Sequence, residues 1–414
     1  MTSKKPTWPA GRPHARRDVP LAPLLIVLLG GAVSCGDSQS NGGSGASGGG
    51  GSADLRAQVL AAIGQDVVAP RQESFASRAT ALETAVQASA AQPTDAALLT
   101  AAQQAWRDAV DEWQELEVMR FGPAANMIEG GEDFGAKIYT WGDIVNLCLV
   151  DEQTVDPGHD DPDAIDAILG APLGLWVMEY LLFTEDTGNH CVAFHRINQD
   201  GIWEDAADSL TQRRLEYAAA LSTLVKRRAD DLVNAWAAEG GDFIASMTDP
   251  RGGQFGSAQE GLNAVSDALF ALDTDTKDMK LAEPAGLLGC AEALCPEAVE
   301  SRWGNQSKEN IVQNLHGFQT VFLGAAPGTD ALGYDDLLAD MGASDVADDM
   351  ASALAAAITA VEAIPGTLVD ALDSDPDSVV DAHGAVKSVT DILKTDFLSV
   401  LDLEAPDRAA GDND

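Results

Sequence analysis

Asp95 to Met119 reads DAALLTAAQQAWRDAVDEWQELEVM, and this stretch decides the fold class. Its apolar residues recur with a 3-4-3-4 spacing, which places them along one face of an α-helix. An amphipathic helix cannot bury its apolar face alone, so the pattern predicts that other elements pack against it. The residues of this face are Leu99, Ala102, Trp106, Ala109, Trp113 and Leu116.

Similar apolar stripes recur along the chain, and no alternating strand pattern of comparable length competes with them. Clusters of Gly, Pro and Asp separate the stripes, and one such break is predicted over residues 273–296. The sequence therefore predicts an all-α protein made of packed helical bundles. Further stripes begin at Phe75, Tyr217, Leu262, Ile311, Met350 and Val379.

Residues 249–253, with the sequence DPRGG, give the strongest internal boundary signal. They divide a helical domain at 55–403 into an N-terminal bundle, at about 55–245, and a C-terminal bundle, at about 255–403. Residues 404–414 form a short acidic tail.

The charge balance excludes two classes of partner. The 414 residues include 66 acidic and 25 basic side chains, for a formal net charge of −41. Nucleic-acid binding relies on stripes of Lys and Arg, and the sequence has none, so we expect no nucleic-acid partner. Electrostatic docking on anionic lipid is excluded for the same reason. The sequence does not define an oligomeric state.

The N-terminus has the pattern of an export signal. Basic residues between positions 4 and 17 precede the apolar run LAPLLIVLLGG at 21–31, which is short for a membrane span. The following AVSCG places small residues before Cys35 and resembles the lipobox of bacterial lipoproteins. We therefore expect a lipoprotein signal peptide at 1–34, a lipid on Cys35, and a flexible Gly/Ser-rich linker at 35–54.

These features predict a protein attached through its lipid to a membrane of the bacterial cell envelope, facing the periplasm or the cell surface. The alternative is an ordinary signal peptide with a chance cysteine.

Four cysteines remain after Cys35, and an even number in an oxidising compartment favours two disulfides. Among the three pairings that are available, we favour Cys290–Cys295 as a local staple, together with Cys148–Cys191. A metal site made from Cys191 with His190 and His195 is the alternative, but these residues lack a standard ligand spacing.

Several polar residues lie within apolar stripes. Glu117 and Arg120 continue the Asp95–Met119 face and are one helical turn apart, so they can pair, and a buried charge must be paired or bind something. Glu179 is the one charged residue of GAPLGLWVMEYLLF at 170–183, so burial should raise its pKa unless a cation compensates. This makes Glu179 a site candidate, with a structural Glu–Arg pair as the alternative.

Four short segments together resemble the imelysin family of bacterial envelope proteins. Residues 106–123, WRDAVDEWQELEVMRFGP, resemble the first-helix signature of that family, and 138–141, IYTW, resemble its tryptophan loop. Residues 300–307, ESRWGNQS, and 314–318, NLHGF, resemble its C-terminal motifs. The similarity extends over most of residues 55–400 in the order typical of the family.

The family motif Gly-x-His-x-x-Glu matches residues 174–179, GLWVME, except that Trp176 replaces the histidine. A His and a Glu at i and i+3 face the same way and can share a divalent metal. An indole nitrogen is only a donor, so Trp176 removes one ligand. This loss argues against peptidase activity more than against the fold.

The resemblance implies two helical bundles with a shared ligand-binding cleft. The same resemblance makes Glu179 the candidate catalytic residue, and Glu179 and Glu117 the candidate ligands of a divalent metal, Fe or Zn. The expected cleft residues are Glu117, Arg120, Trp141, Trp176, Glu179, Ser301 and Asn314.

Three functional hypotheses follow. The first is a lipid-anchored imelysin-type protein that binds a metal or a small ligand in iron acquisition, with envelope or iron-uptake proteins as partners. The second is a metallopeptidase with a diverged metal site. The third is a non-catalytic surface scaffold or partner-binding module. Trp176 favours the first and third hypotheses over the second.

Overall fold

A computed structural model describes residues 51–406, apart from 169, 171, 250, 252, 327 and 330. In these residues all regular structure is helical, which confirms the predicted all-α class. No helix in the described part has the length and apolar character needed to cross a membrane. The predicted signal peptide at 1–34 and the lipidation site Cys35 lie outside the described residues, as do residues 407–414 of the tail.

Helices of the N-terminal half surround the stripe that begins at Asp95. Helices α2, α3, α7 and α10 pack against one another as a bundle. The predicted linker, 35–54, is described only from Gly51, where α1 begins. The helices of this half are α1 (Gly51–Ala62), α2 (Ala69–Ala91), α3 (Ala96–Glu117), α4 (Phe134–Ile138), α5 (Leu147–Val155), α6 (Pro162–Asp166), α7 (Gly174–Phe183), α8 (Arg196–Gln199), α9 (Ile202–Ala206), α10 (Leu210–Trp236) and α11 (Phe243–Thr248).

Helix α3 forms as its sequence predicts. The Asp95 carboxylate accepts hydrogen bonds from the amides of Ala97 and Leu98, and so caps two otherwise unpaired donors. Trp106 and Trp113 on the apolar face are buried. The face is covered by α2 on one side and by α7 and α13 on others.

In the C-terminal half, the helix Ser344–Glu362 packs on Ser307–Leu323 and Pro376–Ile392, and these last two also pack on a π-helical segment, Leu272–Ala282. Helix α13 also packs on α3, and α1 packs on α12 and α14, so one hydrophobic core runs through both halves. The helices of this half are α12 (Ala258–Leu269), α13 (Ser307–Leu323), α14 (Tyr334–Asp340), α15 (Ser344–Glu362), α16 (Leu368–Ser374), α17 (Pro376–Ile392) and α18 (Leu398–Leu401).

The predicted break at 273–296 is wrong over its first part. The chain continues from α12 as the π-helical segment Leu272–Ala282, in which the wider i→i+5 turn changes the phase of the helix. Lys277 and Lys280, both in this segment, are fully buried.

Both predicted disulfides are confirmed. Cys148–Cys191 joins the start of α5 to the loop before α8, and Cys290–Cys295 closes a short loop between the π-helical segment and α13.

Candidate functional site

Glu179 on α7 lies where the two halves of the protein meet. Its side chain is fully buried. One carboxylate oxygen, Oε1, accepts hydrogen bonds from the main-chain amides of Trp303, at 2.9 Å, and Gly304, at 2.8 Å. Among the described residues, neither Oε2 of Glu179 nor Oγ of neighbouring Ser301 has a hydrogen bond of ordinary geometry. Two buried polar atoms are therefore incompletely satisfied at this point.

Burial determines the protonation state of Glu179. Loss of hydration raises its pKa to about 8, although the Gly304 amide and the Ser301 hydroxyl act in the opposite direction. The nearby carboxylate of Glu300 raises the pKa further. Glu179 is therefore mainly a neutral carboxylic acid at pH 7.

Gly174 allows α7 to start close to the loop before it. Its φ is +87°, and a Cβ atom would lie 2.5 Å from the carbonyl oxygen of Ile138. Only glycine fits here without strain, because a side chain would clash and positive φ is unfavourable for other residues. The first residue of the 174–179 motif thus fixes the position of the helix that carries Glu179.

Trp176 has a definite structural role in place of the motif histidine. Its indole Nε1 donates to the main-chain carbonyl oxygen of Glu300 at 2.6 Å. Its ring packs edge-on against Trp303, with the ring centroids 5.2 Å apart. The Trp176 side chain therefore fills and closes part of the junction between α7 and the C-terminal half.

A buried lysine, Lys280, occupies the centre of a cage of oxygen atoms. Its ammonium lies 2.5 Å from Gln114 Oε1 and 2.6 Å from Glu117 Oε2. It also lies 2.9 Å from Asn314 Oδ1 and 3.0 Å from Glu300 Oε1. Burial by itself lowers the pKa of Lys280, but attraction to Glu117 and Glu300 raises it above its ordinary value. The lysine therefore stays charged and compensates one of the two negative charges that Glu117 and Glu300 can carry.

Glu300 connects this cage, which we call the Lys280 cage, to the rest of the site. Tyr139 donates to its Oε1 at 2.7 Å, and Asn310 donates to its Oε2 at 3.0 Å. Burial raises the pKa of Glu300, whereas the Lys280 ammonium lowers it. Because the main-chain oxygen of Glu300 also accepts from Trp176, this residue couples the cage to α7.

The side chains of Glu117 and Arg120, which their helical spacing would allow to pair, have other charged partners. The Arg120 guanidinium contacts the carboxylate of Asp275 at 2.6 Å and donates to the main-chain oxygen of Glu117 at 3.0 Å. The Glu117 carboxylate is instead paired with Lys280. Each of the two residues is thus paired with a residue of the π-helical segment rather than with the other.

Trp141 and Trp176 line a cavity of about 260 Å³ between the two halves. Its walls come from the loop and helix around residues 141–147 on one side and from the segments at 279–283 and 297–302 on the other. Lys280 lies behind one wall, with its ammonium 5.8 Å from the Trp141 ring centroid. The cavity is lined by Trp141, Gly142, Ile144, Val145, Leu147, Trp176, Met279, Glu283, Glu297, Ala298, Val299, Glu300 and Arg302.

The structure thus brings most of the expected cleft residues together in two connected groups. Glu117 and Asn314 belong to the Lys280 cage, whereas Glu179 and Ser301 lie beside the amides of Trp303 and Gly304. Trp141 and Trp176 face the cavity. Arg120 lies apart from these groups, on Asp275.

The sequence did not identify four residues of the site, Lys280, Gln114, Tyr139 and Asn310. It also did not predict that the Glu300 side chain contacts Lys280. The two carboxylates at 117 and 300 were the available signal, because a buried carboxylate requires a cation. Nothing local in the sequence identifies Lys280 as that cation.

The donor set does not fit a divalent ion bound in the manner of the Gly-x-His-x-x-Glu motif. Trp176 supplies an N–H already used on Glu300, and Glu117 is bonded to Lys280. Glu179, with its raised pKa, must lose a proton before it can ligate a metal. Elsewhere, the sulfurs of Cys148 and Cys191 and a ring nitrogen of His195 lie within 4.8 Å of one another, but the sulfurs are bonded to each other.

Fold and site define a class of helical protein with a buried carboxylate and a cavity at the junction of two bundles. The family model for imelysin, Peptidase_M75, matches residues 68–395. The chain belongs to the imelysin family.

Relatives agree with this assignment. Iron-regulated protein A of Synechococcus elongatus is 26% identical over 347 residues, which cover 83% of this chain and 86% of that protein. A structure described as that of an iron-regulated protein A precursor from Parabacteroides distasonis superposes with a TM-score of 0.66 at 17% identity, covering 84% of this chain and 94% of the other. An imelysin-like protein from Psychrobacter arcticus gives a TM-score of 0.65 at 16% identity, with coverages of 86% and 98%. At these identities the two structures show a common fold.

Proposed function

We propose that this protein binds a small iron-bearing ligand, a chelate, in the cavity lined by Trp141 and Trp176, and that it serves iron acquisition at the bacterial cell envelope. The observation that carries this proposal is the 260 Å³ cavity to which both halves contribute. Its volume approaches the lower end of small-molecule sites, which is about 300 Å³, and exceeds the need of a bare ion. Two tryptophans provide apolar walls, and Arg302 and the nearby glutamates provide polar contacts.

A chelate suits the site better than a bare ion. Metal ligands at Glu117 and Glu179 are unsuitable, since the first is bonded to a lysine and the second is mainly protonated at neutral pH. A chelate brings its own donor atoms and needs only a shaped cavity. The link to iron rests on the similarity to iron-regulated protein A of Synechococcus elongatus. The net charge of −41 favours chelates that are neutral or positive over anionic ones.

The same arrangement argues against peptidase activity. A metal-activated water requires about three protein ligands and one open position on the ion. Trp176 stands at the position of the motif histidine and its indole bonds Glu300. The Lys280 ammonium occupies the site beside the Glu117 carboxylate that a metal ion would need. We therefore propose that the chain is not a peptidase.

Attachment through a lipid on Cys35 and contact with iron-uptake proteins of the envelope complete the proposal. The anchor is supported by the lipobox-like sequence and the Gly/Ser-rich segment after it, and the partners are proposed from the similarity to iron-regulated protein A. Lipid labelling with a fatty-acid analogue, in the wild type and in Cys35→Ser, tests the anchor.

Ligand binding is tested by tryptophan fluorescence during titration with a ferric hydroxamate chelate, with Fe³⁺ and Zn²⁺ salts in parallel. We expect saturable quenching by the chelate. Ala298→Trp fills the cavity and should abolish quenching, whereas Ala326→Trp, at an exposed position away from the cavity lining, controls for the added indole. Quenching that is equal in both variants contradicts the proposed site.

Two other results would support the alternatives. Hydrolysis of a protein substrate that is lost with a chelator and in Glu179→Ala would establish the metallopeptidase. Capture of a defined envelope protein, unchanged in Ala298→Trp and in Glu179→Ala, would favour the scaffold.

A further inference from the structure

A second cluster, which contributes no residue to the cavity lined by Trp141 and Trp176, has the chemistry of a metal site that a disulfide closes. Cys148 is at the start of α5, and Cys191 is in the loop before α8. His195 precedes α8, and one of its ring nitrogens lies within 4.8 Å of both sulfurs. All three residues are partly buried, so part of each lies at the protein surface.

The environment of His195 indicates which nitrogen is available. Its Nδ1 is buried and forms no hydrogen bond among the described residues. Its Nε2 lies 3.7 Å from Oε2 of Glu152. The other oxygen of Glu152 is held by Arg196 at 2.5 Å, which fixes the carboxylate beside the ring. At 3.7 Å the carboxylate is beyond hydrogen-bond distance, and a shift of about 0.5 Å would let it orient the ring through Nε2 while Nδ1 faces a metal, a common arrangement around zinc.

We propose that reduction of Cys148–Cys191 creates a site for a thiophilic divalent cation, with Zn²⁺ as the expected metal. Its ligands are the Cys148 and Cys191 thiolates and His195 Nδ1, and Glu152 orients the imidazole. Two sulfurs and one nitrogen leave the fourth tetrahedral position to water or to an outside ligand. The disulfide form lacks both thiolates and does not bind the metal.

The switch requires a thiol reductant. Two thiols, RSH, reduce the bond: the cystine sulfurs accept two electrons and two protons and become Cys148–SH and Cys191–SH, while the reductant becomes RSSR. Metal binding then releases the two thiol protons to solvent. This inference is independent of the cavity between the bundles, because that cavity is lined by none of the three proposed ligands.

Co²⁺ is a suitable probe because cobalt–thiolate charge transfer absorbs in the near ultraviolet. The purified protein is reduced with dithiothreitol, desalted without oxygen and titrated with Co²⁺, then with Zn²⁺. We expect one Co²⁺ per chain with a thiolate band, displacement by Zn²⁺, and no band in the oxidised protein. The absence of a band in the reduced protein would overturn the proposal.

Matched variants locate the site. His195→Ala should abolish the tetrahedral cobalt spectrum, and Glu152→Gln should weaken binding by about 10–100-fold. His190→Ala should retain binding, because that ring is engaged by Asp151 at 3.0 Å. The double variant Cys290→Ser/Cys295→Ser should also retain it. Binding that survives His195→Ala, or that disappears with the second cysteine pair, contradicts the assignment. Circular dichroism of every variant verifies folding.

Discussion

The indole Nε1 of Trp176 donates a hydrogen bond to the main-chain carbonyl oxygen of Glu300 across 2.6 Å. The side-chain carboxylate of the same Glu300 contacts the ammonium of Lys280 at 3.0 Å. At the position where the imelysin motif has a histidine, this protein has a side chain that joins α7 to the Lys280 cage. Trp176 therefore makes a contact between the two halves of the fold at a position where its indole has no lone pair to offer a metal.

Trp176→Phe should destabilise the protein while preserving an aromatic ring. The variant leaves the Glu300 carbonyl without its indole donor, and an unsatisfied buried acceptor costs about 1–3 kcal/mol. Urea unfolding followed by circular dichroism measures the loss. Trp203→Phe removes a comparable indole bond, to the oxygen of Thr187 at 2.9 Å, away from the cavity lining. It should cost stability without affecting chelate binding, and an unchanged midpoint for Trp176→Phe would contradict this role of the indole.

Trp176→His should restore a metal-binding pair. An imidazole at 176 lies one turn before Glu179 on the same helical face, and its nitrogen has the lone pair that indole lacks. We expect a gain of Zn²⁺ binding at pH 8, measured by competition with a chromophoric chelator, and loss of that gain in Trp176→His/Glu179→Ala. If Trp176→His binds no more Zn²⁺ than the wild type, then the lost histidine is not what separates this chain from a metal-binding site.

Lys280→Met should be among the most damaging single substitutions in the cage. It leaves the buried carboxylates of Glu117 and Glu300 without their cation, and breaking such an ion pair costs about 3–5 kcal/mol. Adding Glu117→Gln should recover part of the loss, because one uncompensated charge is removed. The free energies of unfolding of both single variants and the double variant measure this coupling.

The control for Lys280→Met is Lys387→Met. Lys387 pairs with Asp391 on α17, where the two side chains are 29% and 52% exposed. Loss of such a surface pair should cost less than about 1 kcal/mol. Equal effects at the two lysines would mean that burial of the Lys280 cage has no energetic consequence.

The sequence predicted the helices well because amphipathic periodicity is local. The stripe from Leu99 to Leu116 needed only its own spacing, and the buried position of Glu179 followed from its apolar neighbours. Both disulfide pairings were also predicted.

The centre of the site could not be predicted in the same way. Lys280 lies on a π-helical segment, where a period of 3.6 residues no longer describes which side chains face inward. Its partner Glu117 is 163 residues away in sequence, so the pairing depends on how α3 meets the C-terminal half. A local pair of Glu117 with Arg120 has a suitable helical spacing, yet the Glu117 carboxylate contacts Lys280 and the Arg120 guanidinium contacts Asp275, because tertiary contacts determine both partners.

Gly174→Ala should disturb the start of α7. The added Cβ would lie 2.5 Å from the Ile138 oxygen, at a φ of +87°, and such strain costs about 1–3 kcal/mol. Gly384→Ala provides the matched control, because it lies within α17 with no atom within 4 Å of the new Cβ. That variant should be neutral or more stable by about 0.5–1 kcal/mol. The urea midpoint should fall in Gly174→Ala and stay the same or rise in Gly384→Ala, relative to the wild type. An unchanged midpoint in Gly174→Ala would contradict the argument.

Glu179→Gln should change how stability depends on pH. In the folded protein the pKa of Glu179 is raised by burial to about 8, whereas its ordinary value is 4.5. Below pH 4.5 the group is protonated in both states. Between the two values the folded protein keeps a proton that the unfolded chain releases, so each added pH unit lowers the stability of the wild type by about 1.4 kcal/mol.

The glutamine variant cannot ionise, and its amide oxygen can still accept from the Trp303 and Gly304 amides. The wild type should therefore lose stability relative to Glu179→Gln as pH rises from 5 to 8, and the difference should level off above pH 8. Urea titrations of both proteins across this range measure it, with Glu239→Gln at an exposed position controlling for the loss of one charge. A difference that is constant from pH 5 to 8 would mean that Glu179 is ionised in the folded protein, and a cation beside its Oε2 would then have to be sought.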